Sequence, residues 1–134
     1  MQAIKLQPQP ILRVIKNTPS ILNARPILQL NKLAVATVDI TTFIPFEEIL
    51  YCKSESNYTL IYLRSDKSQL ISKTLKSVED KLPSSTFLRI HKSYLINVTA
   101  ITAFNRRTGE IEINHSQLCP IARHKRKEVY SMLV

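Results

Sequence analysis

Two stretches of this chain concentrate side chains that donate hydrogen bonds and carry charge. The first is Phe87-Leu88-Arg89-Ile90-His91-Lys92-Ser93-Tyr94-Leu95-Ile96-Asn97-Val98, where Arg, His, Lys, Ser and Asn interrupt an apolar run. The second is Ile121-Ala122-Arg123-His124-Lys125-Arg126-Lys127-Glu128, which crowds four cations and a histidine together. Arg and Lys match the O6 and N7 acceptors of guanine in the major groove of DNA. Ser, His and further cations hold phosphate oxygens without reading sequence. The same residue types serve catalysis elsewhere, but His91, His115 and His124 have no Asp or Glu in a recognisable triad pattern. Cys52 and Cys119 lack the C-x-x-C or H-x-x-x-H spacing of a zinc site. Gly109 is the only glycine, which excludes Gly-rich phosphate loops. Neither an enzyme nor a cofactor is expected.

Charge supports an anionic partner. The net charge is +9 over 134 residues, and it is unevenly placed. Residues 1–30 carry four basic and no acidic residues, residues 31–85 carry seven of each, and residues 86–134 carry eight basic and three acidic. The excess therefore sits in an N-terminal arm and in the C-terminal third, where both stretches lie. The two cysteines are far apart and read as reduced thiols. No apolar run approaches transmembrane length, and Gln7-Pro8-Gln9-Pro10 interrupts any signal-peptide core, so a cytoplasmic protein is expected.

The elements that must position these residues follow from periodicity and punctuation. Prolines 8, 10, 19 and 26 divide residues 1–30 into short pieces, leaving a basic, apolar arm with room for a short helix near Pro10–Lys16. A domain over residues 31–134 follows. Strands are expected at Leu33–Val38, Ile49–Lys53, Tyr58–Arg64 and Gln69–Ser72, with Ser54–Asn57 connecting the middle pair. Thr74–Leu82 reads as a helix with Leu75, Val78 and Leu82 on one stripe and Pro83 as its stop. One long strand is expected from Phe87 to about Val98. Regular alternation then puts Phe87, Arg89, His91 and Ser93 on one face and Leu88, Ile90, Lys92 and Tyr94 on the other, with Lys92 where the apolar face runs out into solvent. His91 is expected to orient this strand or hold a phosphate, and Asn97 to satisfy a turn at its end. Ala100–Asn105 and Glu110–Asn114 form a hairpin, with Gly109 at positive φ. A turn at Asn114–Gln117, a strand at Leu118–Ile121 and a helix from Ala122 to Leu133 close the chain, with Val129, Met132 and Leu133 facing the core. Cations at the start of that helix oppose its dipole, which points to a use in phosphate binding. The fold class is mainly β, antiparallel, with one short internal helix and a short C-terminal helix, since no βαβ alternation occurs.

The run F-x-R-x-H-K-S-Y-L-I-N resembles the signature strand of the LytTR family, the DNA-binding domain of many bacterial response regulators. The segments I-P-F-E-E-I-L-Y, T-L-K-S-V-E-D-K-L and P-I-A-R-H-K-R-K-E-V occur in family order, so the resemblance covers about residues 33–133. It implies elongated, short, stacked β-sheets and DNA reading by loops and strand ends. Base contacts are implied at Asn57 or Tyr58, at Lys92 and at Arg123. Phosphate contacts are implied at Ser93, Lys125 and Arg126, with His91 and His124 as further candidates. Tyr58 also fits a half-buried strand position. Ala122 departs from the Ser often found before the last helix, Asn114-His115-Ser116 replaces a Gly-containing turn, and Lys92 occupies a position that varies among Lys, Arg and Asn.

The resemblance implies a sequence-specific double-stranded DNA-binding transcription regulator, with two copies on direct repeats, hence a homodimer on DNA, and bending. Thirty residues ahead of the match cannot hold a phospho-receiver domain, so a separate sensor or regulatory partner is expected where switching occurs. The rival expectation is a signalling or membrane-associated interaction protein that uses its basic arm on anionic lipid. RNA binding is less well supported, because no RNP or GXXG pattern is present.

Overall fold

The structure is a computed structural model, and it describes residues 30–134. The short helix expected near Pro10–Lys16 and the arm as a whole lie outside the described residues. Residues Asn31–Val134 form one unit.

The unit is built on a five-stranded antiparallel sheet in the order β5-β4-β3-β7-β6. Its strands are β3 (Ile49–Glu55), β4 (Tyr58–Leu63), β5 (Ser68–Ile71), β6 (Phe87–His91) and β7 (Tyr94–Asn97). A hairpin of β1 (Lys32–Ala36) and β2 (Thr41–Pro45) precedes it. A three-stranded sheet of β8 (Ile101–Asn105), β9 (Glu110–Ile113) and β10 (Gln117–Pro120) follows, in the order β10-β9-β8. Two short helices complete the unit: α1 (Leu75–Glu79) and α2 (Arg126–Leu133). The antiparallel, mainly β architecture with an internal and a C-terminal helix is therefore as expected.

The central strands bury side chains on both faces, and this explains their nearly continuous apolar runs. One core gathers Leu33, Val35 and Ile44 of the first hairpin, Ile49, Cys52, Ile61 and Leu95 of the sheet, and Leu75 and Val78 of α1. The other packs Tyr51, Ile90 and Ile96 from the same sheet against Ile111, Ile113, Cys119 and Val129. β3 serves both cores because its faces alternate, and the shift in its pairing with β4 between Ile49 and Tyr51 sends the neighbours Leu50 and Tyr51 to the same core. Such a bulge turns a side chain to the other face. Asn97 is buried and fully used: its amide donates to the Ile49 carbonyl at 2.9 Å, and its oxygen accepts from the Thr99 amide and hydroxyl. This is the strand-end role expected of it.

Several element boundaries differ from the sequence expectation. The helix expected over Thr74–Leu82 is α-helical only to Glu79. Thr74 caps it by accepting from the Ser77 amide, and Lys81 and Leu82 continue with tighter bonds to Val78 and Glu79 before Pro83. Leu82 still reaches the core. At the C-terminus, Val129 is buried and Leu133 packs against the core, but Met132 is 61% exposed. The helix there begins only at Arg126. Arg123–Lys125 form a preceding 3₁₀ turn, and within the helix Val129 and Leu133, four residues apart, share the buried stripe and leave Met132 at its edge.

The largest difference lies in Phe87–Val98. It is a hairpin, β6 and β7, joined at Lys92-Ser93. The expected alternation holds to Ile90 and then fails for two reasons: the pairing shifts between Arg89 and His91, and the chain reverses. No Gly, Asn, Asp or Pro marks that reversal, and Ser93 alone is too weak a turn signal to break a strand reading.

Candidate nucleic-acid interface

The β6–β7 turn is held by side chains from its own strand. The Ser93 amide donates to His91 Nδ1 at 3.0 Å. Arg89 donates from Nε to the His91 carbonyl at 2.9 Å and from Nη2 to the Lys92 carbonyl at 2.7 Å. Its remaining nitrogen, Nη1, meets Glu79 Oε1 of α1 at 2.8 Å. A planar guanidinium suits such a three-way brace because its donors diverge in a fixed fork. The Lys92 side chain is left exposed at the tip, with no acidic partner among the described residues.

The C-terminal cationic segment docks on the irregular end of β6. The Ile90 carbonyl, at the bulge, accepts from the Ala122 amide at 2.8 Å. The Arg89 carbonyl accepts from Lys125 Nζ at 3.2 Å. Arg123 and His124, between these two anchors, are exposed. Ala122 makes no side-chain cap; its main chain supplies the anchor instead.

The β3–β4 turn leaves the same end of the sheet. Glu55 pairs with Tyr58 across it, and Ser56 adopts φ 56° to reverse the chain. The neighbouring β3 residue, Ser54, donates its amide to the Ser93 carbonyl at 2.9 Å. Ser56-Asn57 and Lys92-Ser93 are thus adjacent turns tied by a main-chain bond, one strand spacing of about 4.8 Å apart at their bases. Asn57 and Tyr58 are both exposed. Tyr58 also borders a groove between β1 and β5.

The structure therefore brings Asn57, Tyr58, His91, Lys92, Ser93, Arg123 and Lys125 to elements that meet at one end of the five-stranded sheet. Arg126 differs. Its guanidinium lies over Gly109, where any Cβ would collide with it, and its buried Nε has no hydrogen-bond partner. Gly109 itself has φ 73°, as its place in the β8–β9 turn requires.

Electrostatics around the turn are strongly positive. His91 has its pKa lowered, first by burial and then by Lys92, Arg89 and Lys125. A neutral ring matches the geometry, because Nδ1 must be unprotonated to accept from Ser93, and Nε2–H then remains a donor. The thiols of Cys52 and Cys119 are buried, unbonded and pushed up to about 12 by desolvation, so they act as small apolar groups. Among the described residues, no group of His, Cys, Asp and Glu is arranged to hold a metal, and no helix is long and apolar enough to cross a membrane.

Arg89, which braces the turn that carries Lys92 and Ser93, is the candidate that residue-by-residue reading missed. Its role depends on the reversal at Lys92-Ser93, and a continuous strand would have carried those carbonyls away from its fork. Ser54 was missed as well, because a serine that contributes only its amide leaves no signal in its side-chain type.

The profile of the LytTr DNA-binding domain family matches residues 39–134. The chain is 26% identical over 106 residues to the sensory transduction protein LytT of Bacillus subtilis (strain 168), covering 77% of this chain and 44% of that protein. It is 25% identical over 109 residues to LytT of Bacillus anthracis, covering 78% and 44%. It therefore spans less than half the length of these relatives. A solved LytTr DNA-binding domain from Bacillus cereus superimposes with a TM-score of 0.62 at 20% identity, over 76% of this chain and 94% of that one, which establishes a shared fold.

Proposed function

The chain belongs to the LytTR family of DNA-binding domains, and from that premise we propose that it is a sequence-specific double-stranded DNA-binding transcription regulator. The observation that carries the reading is the meeting of two adjacent hairpin turns and a cationic 3₁₀ turn on one end of one sheet. Lys92 and Arg123 are exposed, lie on separately anchored turns, and donate to guanine O6 and N7. Asn57 offers the amide that pairs with adenine N6 and N7, and Tyr58 beside it offers a ring for a thymine methyl. Ser93, His91 through Nε2–H, His124 and Lys125 hold phosphates around them. Arg126 contributes positive charge from its position over Gly109.

Three short turns cover little more than one groove face, so a site of ordinary affinity requires two copies on repeated half-sites. A homodimer forms on DNA, and a separate sensor or regulatory partner sets its activity.

In vitro selection from a random duplex library at physiological salt tests the reading. Enrichment of a repeated motif is expected, with the preference relaxing at different base pairs in Lys92→Ala and Arg123→Ala proteins. Folded protein that enriches no motif would overturn sequence-specific binding and favour an interaction protein that uses its basic arm.

A further inference from the structure

Away from the DNA-facing turns, β5 and β1 each pair on one side only. Their two strands border one groove of about 320 Å³, with α1 at its other side. A strand edge presents unpaired main-chain donors and acceptors on which another extended segment can pair. Neither strand contains a proline that would block such pairing. The exposed apolar side chains here are Leu70 in the middle of β5, 57% exposed, and Val38 just past β1. Both line the groove, so they offer apolar contacts beside an open strand edge.

The charge of the rim decides the occupant. Lys73 follows β5 and Lys81 follows α1; both line the groove, and neither pairs with an acidic side chain among the described residues. No Asp or Glu lines it. We propose that this groove is a docking site for an extended acidic segment of a partner protein. The segment adds as a strand to the free edge of β5, lays alternate apolar side chains on Leu70 and Val38, and directs its carboxylates to Lys73 and Lys81. Main-chain pairing supplies affinity in this mode, and the side-chain alternation supplies specificity. Tyr58, one of the proposed base-contact residues, borders the groove, so such a partner sits against the edge of the DNA-reading surface.

Panning a phage-displayed random peptide library on the full chain tests this. Enriched peptides are expected to alternate apolar with Asp or Glu residues. Synthetic copies, followed by fluorescence anisotropy, should bind the Lys73→Glu/Lys81→Glu protein on the order of tenfold more weakly or worse. Leu70→Asp should abolish their binding. It changes an exposed side chain, so circular dichroism and DNA binding should stay as in the wild type, which separates this proposal from the DNA-binding one. Bound peptide should slow amide exchange over residues 68–71. The proposal is overturned by enrichment of basic peptides or of none, or by equal binding to Leu70→Asp. Self-association of the peptide-free chain that Leu70→Asp removes would also overturn it, because a second copy would then be the occupant.

Discussion

Arg89 and Glu79 form a partly buried ion pair at 2.8 Å, and the pair does more than join α1 to β6. It aims the rest of the guanidinium at the His91 and Lys92 carbonyls, so the turn that presents Lys92 is braced against a helix. Arg89→Lys keeps the charge and loses the fork. We predict a modest stability loss, about 1 kcal/mol, with a larger loss of cognate DNA affinity, about 1–3 kcal/mol. Urea unfolding and a binding titration on the same protein measure the two. Unchanged DNA affinity beside a measurable stability loss would mean that Arg89 serves the fold alone.

Lys92→Ala and Arg123→Ala should each cost roughly 1–3 kcal/mol on the selected site while leaving non-specific binding nearly unchanged. Both side chains are exposed, so the thermal midpoint should move little. Lys125→Ala behaves differently. It should weaken every duplex and flatten the salt slope by about one unit. It should also lower stability slightly, because its Nζ bonds the Arg89 carbonyl. Competition titrations across a salt series separate these outcomes.

His91 gives the turn a pH dependence with a defined sign. The folded pKa is lowered by burial, Lys92, Arg89 and Lys125. The unfolded chain therefore binds the proton more tightly. Stability from the neutral ring is fully present above the unfolded value, about 6.5, and is lost as pH falls through the folded one. Protonated Nδ1 cannot accept from Ser93, so the turn should loosen in the same range. His91→Asn places a non-titrating acceptor near the same amide. Unfolding curves between about pH 7.5 and about pH 5 should show a shallower acid loss for this variant. Identical slopes would assign the acid sensitivity to other groups.

Asn114 and His115 both hold positive φ, 54° and 62°, where the β9–β10 connection reverses. Only glycine takes up this region without a steric cost from its Cβ. His115→Gly should therefore stabilise the domain, by about 0.5–1 kcal/mol after the entropy cost of glycine. Gly109→Ala should do the opposite, since its φ of 73° is equally left-handed and its space is filled by Arg126. Thermal unfolding of the two variants makes a direct pair.

Much of the fold was legible because the cores are made of long apolar side chains at strand and helix spacing. Leu75, Val78 and Leu82 reach the core as their spacing indicated, even though the α-helix stops at Glu79. The chain reversal at Lys92-Ser93 was not legible. Its geometry comes from Arg89, His91 and a bulge at Ile90, none of which is a local turn signal. Lys92, Ser93 and Arg123 could be picked out by type and position, whereas their meeting depends on main-chain bonds from Ser54, Ile90 and Ala122 that any residue except proline could make.

That last property has a consequence for how such a surface changes over time. The two hairpin turns are joined through the Ser54 amide and the Ser93 carbonyl, and the C-terminal turn hangs from the Ile90 carbonyl. None of these ties uses the side chain at position 57, 92 or 123. On the proposed reading, exchanging those three exposed side chains one at a time should leave folding nearly unchanged, which would make the domain a mount with interchangeable reading heads. Single substitutions there would then bring new operators within reach, and a designer wishing to retarget the protein would begin by randomising those three sites together.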